Sequence, residues 1–302
     1  MPKNNGTRPS KGFPTIKTPR AGNIPELRNG RSEKEGWKEE METLQAFVAA
    51  NPLIVVAHRG SSGTAPENTF ASLRQALDAG VQMIEIDVQV TGDGDVVVFH
   101  DETVARTTNS RGSVNGMSCA DLQALDAGSW FDRAFAGERV PRLREALEFL
   151  RGKAYLNIEV KPPRPGEQYV ERIDRIVTIT QAAGCIPYTL FSSFHHQSLV
   201  YLKSLSVDHH TAAIQVPGDD RLPSAVVKQS GCDAFVCALR ELTAGGAVDL
   251  QEHGIYAGVY TINTEEELEQ ALQLKVNALV TNFPAAMLQA LRKRGSALPQ
   301  FR

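Results

Sequence analysis

The sequence predicts an α/β chain folded as a (β/α)8 TIM barrel, with a small helical insertion after its second strand. Three observations lead there. Eight short apolar runs, each followed by a helix-forming stretch, recur across residues 53–293, and about 250 residues of such units is the arithmetic of that barrel. No Gly-rich GxGxxG follows the first run, which weighs against a doubly wound open sheet. Polar residues of a few types gather where the runs end, and a barrel of this kind does its chemistry at the C-terminal ends of its strands.

The elements follow in order. Met41–Ala50 reads as a short helix leading into the domain, and Leu53–Ala57 is a continuous apolar strand. Asn68–Ala79 is a helix with Asn68 as N-cap and Gly80 at its end. Met83–Val90 and Val96–His100 flank the turn Gly92-Asp93-Gly94. That connection is too short for a parallel crossover, so the two runs form an antiparallel hairpin. A long excursion, 101–140, comes next. Leu143–Leu150 is a helix and Tyr155–Val160 a strand; Gln168–Ala183 is an amphipathic helix and Tyr188–Ser192 a strand. His196–Leu205 is helical, His210–Gln215 a strand, Ser224–Gln229 a helix and Ala234–Val236 a short strand. Ala244–Glu252, Glu265–Gln273 (capped by Thr264) and Ala285–Lys293 are helices around the strands Ile255–Thr261 and Ala278–Thr281.

With 302 residues, 42% hydrophobic and 22% charged, the chain has the composition of a soluble globular protein with room for one large domain. A formal charge of −3 argues against nucleic acid as a partner. The charge is uneven: residues 1–40 carry 9 Lys/Arg against 5 Glu, leaving 23 basic and 30 acidic residues in 41–302. Residues 1–40, rich in Pro, Gly, Asn, Lys and Arg and lacking a hydrophobic period, are expected to be a disordered basic extension. Residues 41–302 then form the barrel domain. The cysteines at 119, 185, 232 and 237 have no metal or redox spacing and read as reduced thiols of a cytoplasmic protein. No apolar run reaches membrane-spanning length, and no signal-peptide core stands at the start. Neither stable membrane insertion nor secretion is expected.

Alternation across the hairpin strand puts Glu85 and Asp87 on one face and Ile84, Ile86 and Val88 on the other. Folding about the turn is expected to bring Glu85 opposite His100. Two carboxylates on one buried strand repel each other, and desolvating them costs several kcal/mol, roughly, unless a cation compensates them. Other strand ends add His58-Arg59-Gly60, Asn157 with Glu159 and Lys161, Ser192-Ser193-Phe194 and Tyr260-Thr261. Glu85, Asp87 and Glu159 suit a hard divalent cation, Mg²⁺ or Ca²⁺. His58 and His100 can supply an acid and a base near neutral pH. Arg59 and Lys161 offer charge for an oxyanion, although Arg59 could instead pair with Glu67. Together these groups fit cleavage of a phosphodiester. His195, His196, His209, His210 and His253, at helix starts, a strand start or a helix end and without matching acids, are read as structural.

The same residues carry a resemblance. Stretches 58–60 (HRG), 66–69 (PENT), 85–88 (EIDV), 91–101 ending in His-Asp, 106–108 (RTT), 125–131 (LDAGSWF), 141–147 (PRLREAL), 157–161 (NIEVK), 260–263 (YTIN) and 281–284 (TNFP) resemble, in order, the glycerophosphodiester phosphodiesterase family. The resemblance implies a metal-dependent hydrolase barrel. By it, His58 and His100 would be the acid/base pair, Glu85, Asp87 and Glu159 the metal ligands, and Arg59 and Lys161 the phosphate contacts. The excursion corresponds to the family's insertion over the active site, where Trp130 and Phe131 would wall the pocket or anchor the insertion. The chain departs from the family at Tyr260, where Trp is frequent, at Asn282, where Asp is frequent, and at Arg142. The implied substrate is a small glycerophosphodiester, giving glycerol 3-phosphate and an alcohol. A lysophospholipase D or sphingomyelinase-D-like activity is disfavoured by the long insertion and by the lack of an amphipathic membrane-binding helix. A barrel that merely binds phosphodiesters is disfavoured by the presence of both histidines and all three acids.

Overall fold

The computed structural model describes residues 41–164 and 166–295. The extension read at 1–40 and the end of the domain at 296–302 lie outside the described residues. In chain order the elements are α1 (Leu44–Ala50), β1 (Ile54–His58), α2 (Phe70–Asp78), β2 (Met83–Val90), β3 (Val96–Val98), α3 (Cys119–Gln123), α4 (Leu143–Leu150) and β4 (Tyr155–Val160). They continue as α5 (Tyr169–Ala182), β5 (Thr189–Ser193), α6 (His196–Leu205), β6 (His210–Ile214), α7 (Pro223–Ser230) and β7 (Ala234–Ala238). The last are α8 (Ala244–Glu252), β8 (Tyr256–Tyr260), α9 (Glu265–Gln273), β9 (Ala278–Thr281) and α10 (Pro284–Lys293). Parallel pairing runs unbroken from β4 through β9, and β1 pairs in parallel with both β2 and β9. Eight parallel strands therefore close into the expected barrel. β3 sits outside the ring, antiparallel to β2.

Side-chain alternation sorts the strands into two environments. Ile84, Ile86, Val88, Ile158 and Val160 face outward and are fully buried under the helices; each such burial contributes about 1.5–3 kcal/mol. At the N-terminal end of the barrel, Leu44 and Phe47 of α1 pack on Ile54, Val56, Met83, Tyr155 and Val280, with the Phe47 and Tyr155 rings stacked 4.1 Å apart. The excursion 101–140 holds only α3 and two single 3₁₀ turns, organised on a separate small core that includes Val104, Val114, Leu122 and Val140.

Two local expectations are corrected. Helix α2 is capped by Thr69, not Asn68: Thr69 Oγ1 accepts from Ser72 N and Ser72 Oγ accepts from Thr69 N, a reciprocal capping box. Asn68 has a left-handed backbone (φ 58°) and turns its amide inward. The hairpin register is also shifted by one residue. Val88, Gln89 and Val90 pair with Val98, Val97 and Val96, so Phe99 rather than His100 stands across from an acid, its N–H donating to Asp87 O at 2.9 Å. β3 ends at Val98, two residues before His100. Among the described residues no helix is long and apolar enough to cross a membrane.

Candidate active site

At the C-terminal rim, β1, β2 and β4 lie side by side, with His58 in register with Glu85, Glu85 with Asn157, and Asp87 with Glu159. Inward alternation then gathers three carboxylates, from Glu85, Asp87 and Glu159, with one oxygen of each within 4.8 Å of the others. Glu85 and Asp87 are buried. The turn after β1 builds the rest. Arg59 (φ 56°) and Gly60 (φ 75°) are both left-handed, and a Cβ on Gly60 would lie 2.6 Å from Ser72. Glycine is required there by conformation and by space. The turn aims the Arg59 N–H at Glu85 Oε2, 2.8 Å away, and brings the Arg59 guanidinium to Asp87 (3.2 Å) and Glu67 (2.8 Å). Arg59 thus makes the Glu67 pair and the site contact together. Lys161 is ion-paired with both Asp87 and Glu159.

These charges do not balance evenly. Burial, then the neighbouring Asp87 and Glu159, push the Glu85 carboxyl well above the usual range. Burial likewise raises Glu159. Burial opposes ionisation of Asp87 as well, but Lys161 and Arg59 hold it well below the usual range. Glu85 Oε1 is buried without a hydrogen-bond partner. A buried orphan acceptor inside a triad of acids is the environment a hard cation satisfies, so these residues fit a divalent metal.

The two histidines flank this triad and are held differently. His58 Nδ1–H donates to Asn282 Oδ1 at 2.7 Å, leaving Nε2 as the free acceptor. Ser62 Oγ, 2.6 Å from His58 O and 3.0 Å from Asn282 Oδ1, braces the pair. Burial, then the Arg59 charge, lowers the His58 pKa to about 4. His100 Nδ1–H instead donates to the Asp101 carboxylate at 2.5 Å. Hydrogen bonds from Arg106 hold Asp101 down to about 2, and Arg106 also grips Glu67 with two bonds of 2.7 and 2.8 Å. One ring is backed by a neutral amide and the other by a carboxylate.

A cavity of about 230 Å³ opens over this set, lined by His58, Arg59, Glu85, His100, Glu159 and Tyr260 among others. Lys161 and Asp87 lie behind it. Phe194, placed at a strand end by the sequence but given no role, also lines it, as does Ile214, which the sequence does not single out. Trp130 and Phe131 do not line it: they pack on each other edge to face at 5.7 Å, with Trp130 Nε1–H donating to Ala127 O. Asn68, read as a helix cap, donates from Nδ2 to Asp87 Oδ2 at 2.8 Å. Three of the other histidines are satisfied elsewhere: His195 by Ser198, His196 by Ile214 O, and His209 by Leu202 O. His253 does have an acid in reach, Asp249 at 3.4 Å, on the exterior helix α8.

A closed (β/α)8 barrel whose mouth sets two histidines and two cations around an acidic triad is of the phosphoric diester hydrolase class. The glycerophosphoryl diester phosphodiesterase family model matches residues 58–286. The chain is 31% identical over 246 residues to a glycerophosphodiester phosphodiesterase of Caldanaerobacter subterraneus subsp. tengcongensis, covering 80% of this chain and 99% of that one. Among solved structures it is similar to an Oleispira antarctica phosphodiesterase in complex with the product sn-glycerol-3-phosphate. There the TM-score is 0.74 at 30% identity, over 81% of this chain and 98% of that one. It is similar also to a glycerophosphodiester phosphodiesterase from Agrobacterium tumefaciens, with a TM-score of 0.69 at 29% identity over 78% and 99% of the two chains. The chain belongs to the glycerophosphoryl diester phosphodiesterase family, and with it to the glycerophosphodiester phosphodiesterases.

Proposed function

We propose that the protein hydrolyses small glycerophosphodiesters to glycerol 3-phosphate and an alcohol, with His58 and His100 as its acid/base pair. The observation that carries this reading is the unlike support of the two rings at one cavity: Asn282 behind His58 and Asp101 behind His100. A neutral amide leaves His58 uncharged, with Nε2 able to take the proton of the attacking hydroxyl. The Asp101 carboxylate accepts from His100 Nδ1–H and so orients that ring as the acid that gives a proton to the departing alkoxide. Arg59, which lines the cavity, is the phosphate contact, Lys161 holds Asp87 and Glu159 from behind it, and Tyr260 lines the substrate's place.

Glu85, Asp87 and Glu159 would hold one divalent cation, Mg²⁺ or Ca²⁺. When bound, such an ion supplies Lewis-acid stabilisation of charge on the phosphoryl oxygens. The chain's own groups do the rest: Asn68 and Arg59 orient Asp87, and the Arg59 backbone orients Glu85. Trp130 and Phe131 keep a place in the proposal only as supports of the insertion. Four buried free thiols fit a reducing compartment such as the cytoplasm.

The test is release of glycerol 3-phosphate from glycerophosphocholine, run beside lysophosphatidylcholine, each with and without EDTA. EDTA-sensitive turnover of glycerophosphocholine, with little of the lipid, is expected. Preferred cleavage of lysophosphatidylcholine, or no cleavage of either by metal-loaded protein, overturns the reading.

A further inference from the structure

A buried guanidinium stands behind the catalytic rim. Arg172, one turn into α5, is 3% exposed, buried like Ile173, Ile176 and Val177 on the same helix. A buried charge is costly unless its donors find acceptors. Here the fork reaches two loops. Nη1 donates to Lys161 O at 3.1 Å and to Pro162 O at 2.9 Å, in the segment leaving β4. Nη2 donates to Gln89 Oε1 at 2.8 Å, 83 positions earlier in the chain. Glu167 lies 3.6 Å from the same guanidinium. Gln89 is itself 2% exposed, on the β2 face that carries Glu85 and Asp87. Its Nε2 donates to His100 O at 3.1 Å and to Asp101 O at 3.3 Å. β3 ends two residues before His100, so these two carbonyls have left the sheet ladder and take the Gln89 amide instead. Neither Arg172 nor Gln89 lines the catalytic cavity.

We propose that Arg172 and Gln89 are positioning residues, a clamp that sets the main chain of His100 and Asp101 against that of Lys161 and so aims the His100 ring at the leaving oxygen. This rests on the reading of His100 as the acid. Asp101 holds the ring's Nδ1–H, and Arg106 holds the Asp101 carboxylate. Those bonds fix side chains relative to the backbone that carries them. The Gln89 amide fixes that backbone, and Arg172 fixes Gln89 to the β4 loop. Arginine suits the task because its planar fork keeps several N–H donors in set directions. One nitrogen meets the carbonyls of the β4 loop while another meets the Gln89 oxygen. A lysine ammonium is a point donor on a flexible stem and lacks that spread. A misplacement of about 1 Å at a catalytic group can cost about 10²-fold in rate.

The test compares two leaving groups in the full-length protein with metal in excess. Choline departs as an alkoxide and needs a proton, whereas p-nitrophenolate departs without one. Gln89→Met should lower kcat for glycerophosphocholine about 10²-fold, with KM changed less than about threefold. For glycerophospho-p-nitrophenol the same variant should lose less than about threefold in kcat. Arg172→Lys, which keeps the charge, should show the same split at about 10-fold, and it carries the test if Gln89→Met folds poorly. In a His100→Ala background, Gln89→Met should cost almost nothing further, since the two act as a unit. Equal losses on both substrates in folded variants, an unchanged kcat for glycerophosphocholine, or full additivity with His100→Ala would overturn the proposal. Loss of rate in His100→Ala beside an unaffected Gln89→Met overturns the clamp alone. A His100→Ala protein that loses no rate on glycerophosphocholine overturns the reading of His100 as the acid, and the clamp with it.

Discussion

Replacing Asn282 by Asp should move the acidic limb of the pH–rate profile upward. The substitution is nearly isosteric and puts a carboxylate where an amide now accepts the His58 Nδ1–H at 2.7 Å. Two unit charges about 4 Å apart interact by about 4 kcal/mol at an effective dielectric constant near 20. At 1.36 kcal/mol per pH unit that is about 3 units. Burying the new carboxylate takes back part of it, so a rise of roughly 1–3 units is expected. His58 starts at about 4. A base must be neutral to act, so kcat/KM falls as pH drops through this limb, and in N282D it should fall at about pH 5–7 instead. The assay is kcat/KM for glycerophosphocholine from pH 4 to 9 with metal in excess. The variant should match wild type near pH 8 and lag increasingly below pH 6. A folded N282D whose acidic limb stays in place would refute the assignment of His58 as the base.

Three further outcomes follow from the same geometry. Mg²⁺ or Ca²⁺ should raise the Tm of chelator-treated protein, and Glu85→Gln should reduce that rise, because ligand binding to the folded state alone is stabilising; a Tm indifferent to both ions would contradict the metal site. Arg106→Ala should lower kcat about 10- to 100-fold with a smaller change in KM, since it removes charge-assisted bonds worth about 1.5–3 kcal/mol from Asp101 and Glu67; steady-state kinetics checks the split. Trp130→Ala should leave kcat/KM within about twofold, because the ring lies outside the catalytic cavity; a tenfold loss would return it to the substrate wall.

The barrel was legible because parallel strands buried on both faces read as short apolar runs, and helices such as Glu265–Gln273 carry their own start signal in Thr264. The acids were legible through period-two alternation: Glu85 and Asp87 had to share the face opposite Ile84 and Ile86. Turn geometry was the weak point. The loop closes with Thr91 N–H donating to Asp95 O at 2.9 Å, which shifts the pairing by one residue and frees His100 from the ladder. Asn68 was misplaced for a related reason. Composition marks Asn as a good cap, yet its left-handed backbone sends the amide to Asp87, a contact across 19 residues that no local pattern encodes. Asn282 was legible only as a departure from the family, since its partner His58 lies 224 positions away and meets it only when β1 and β9 close the ring.

The central claim is that two histidines, one backed by an amide and one by a carboxylate, move the protons of phosphodiester cleavage. The most direct measurement is kcat for glycerophosphocholine in His58→Ala, His100→Ala and the double variant, each folded and shown by calorimetry to bind metal. The account predicts losses of about 10²–10⁴-fold for each single variant. It also predicts a double loss well below their product, because residues acting as a unit are not additive. A metal-loaded His100→Ala with near wild-type kcat would contradict it.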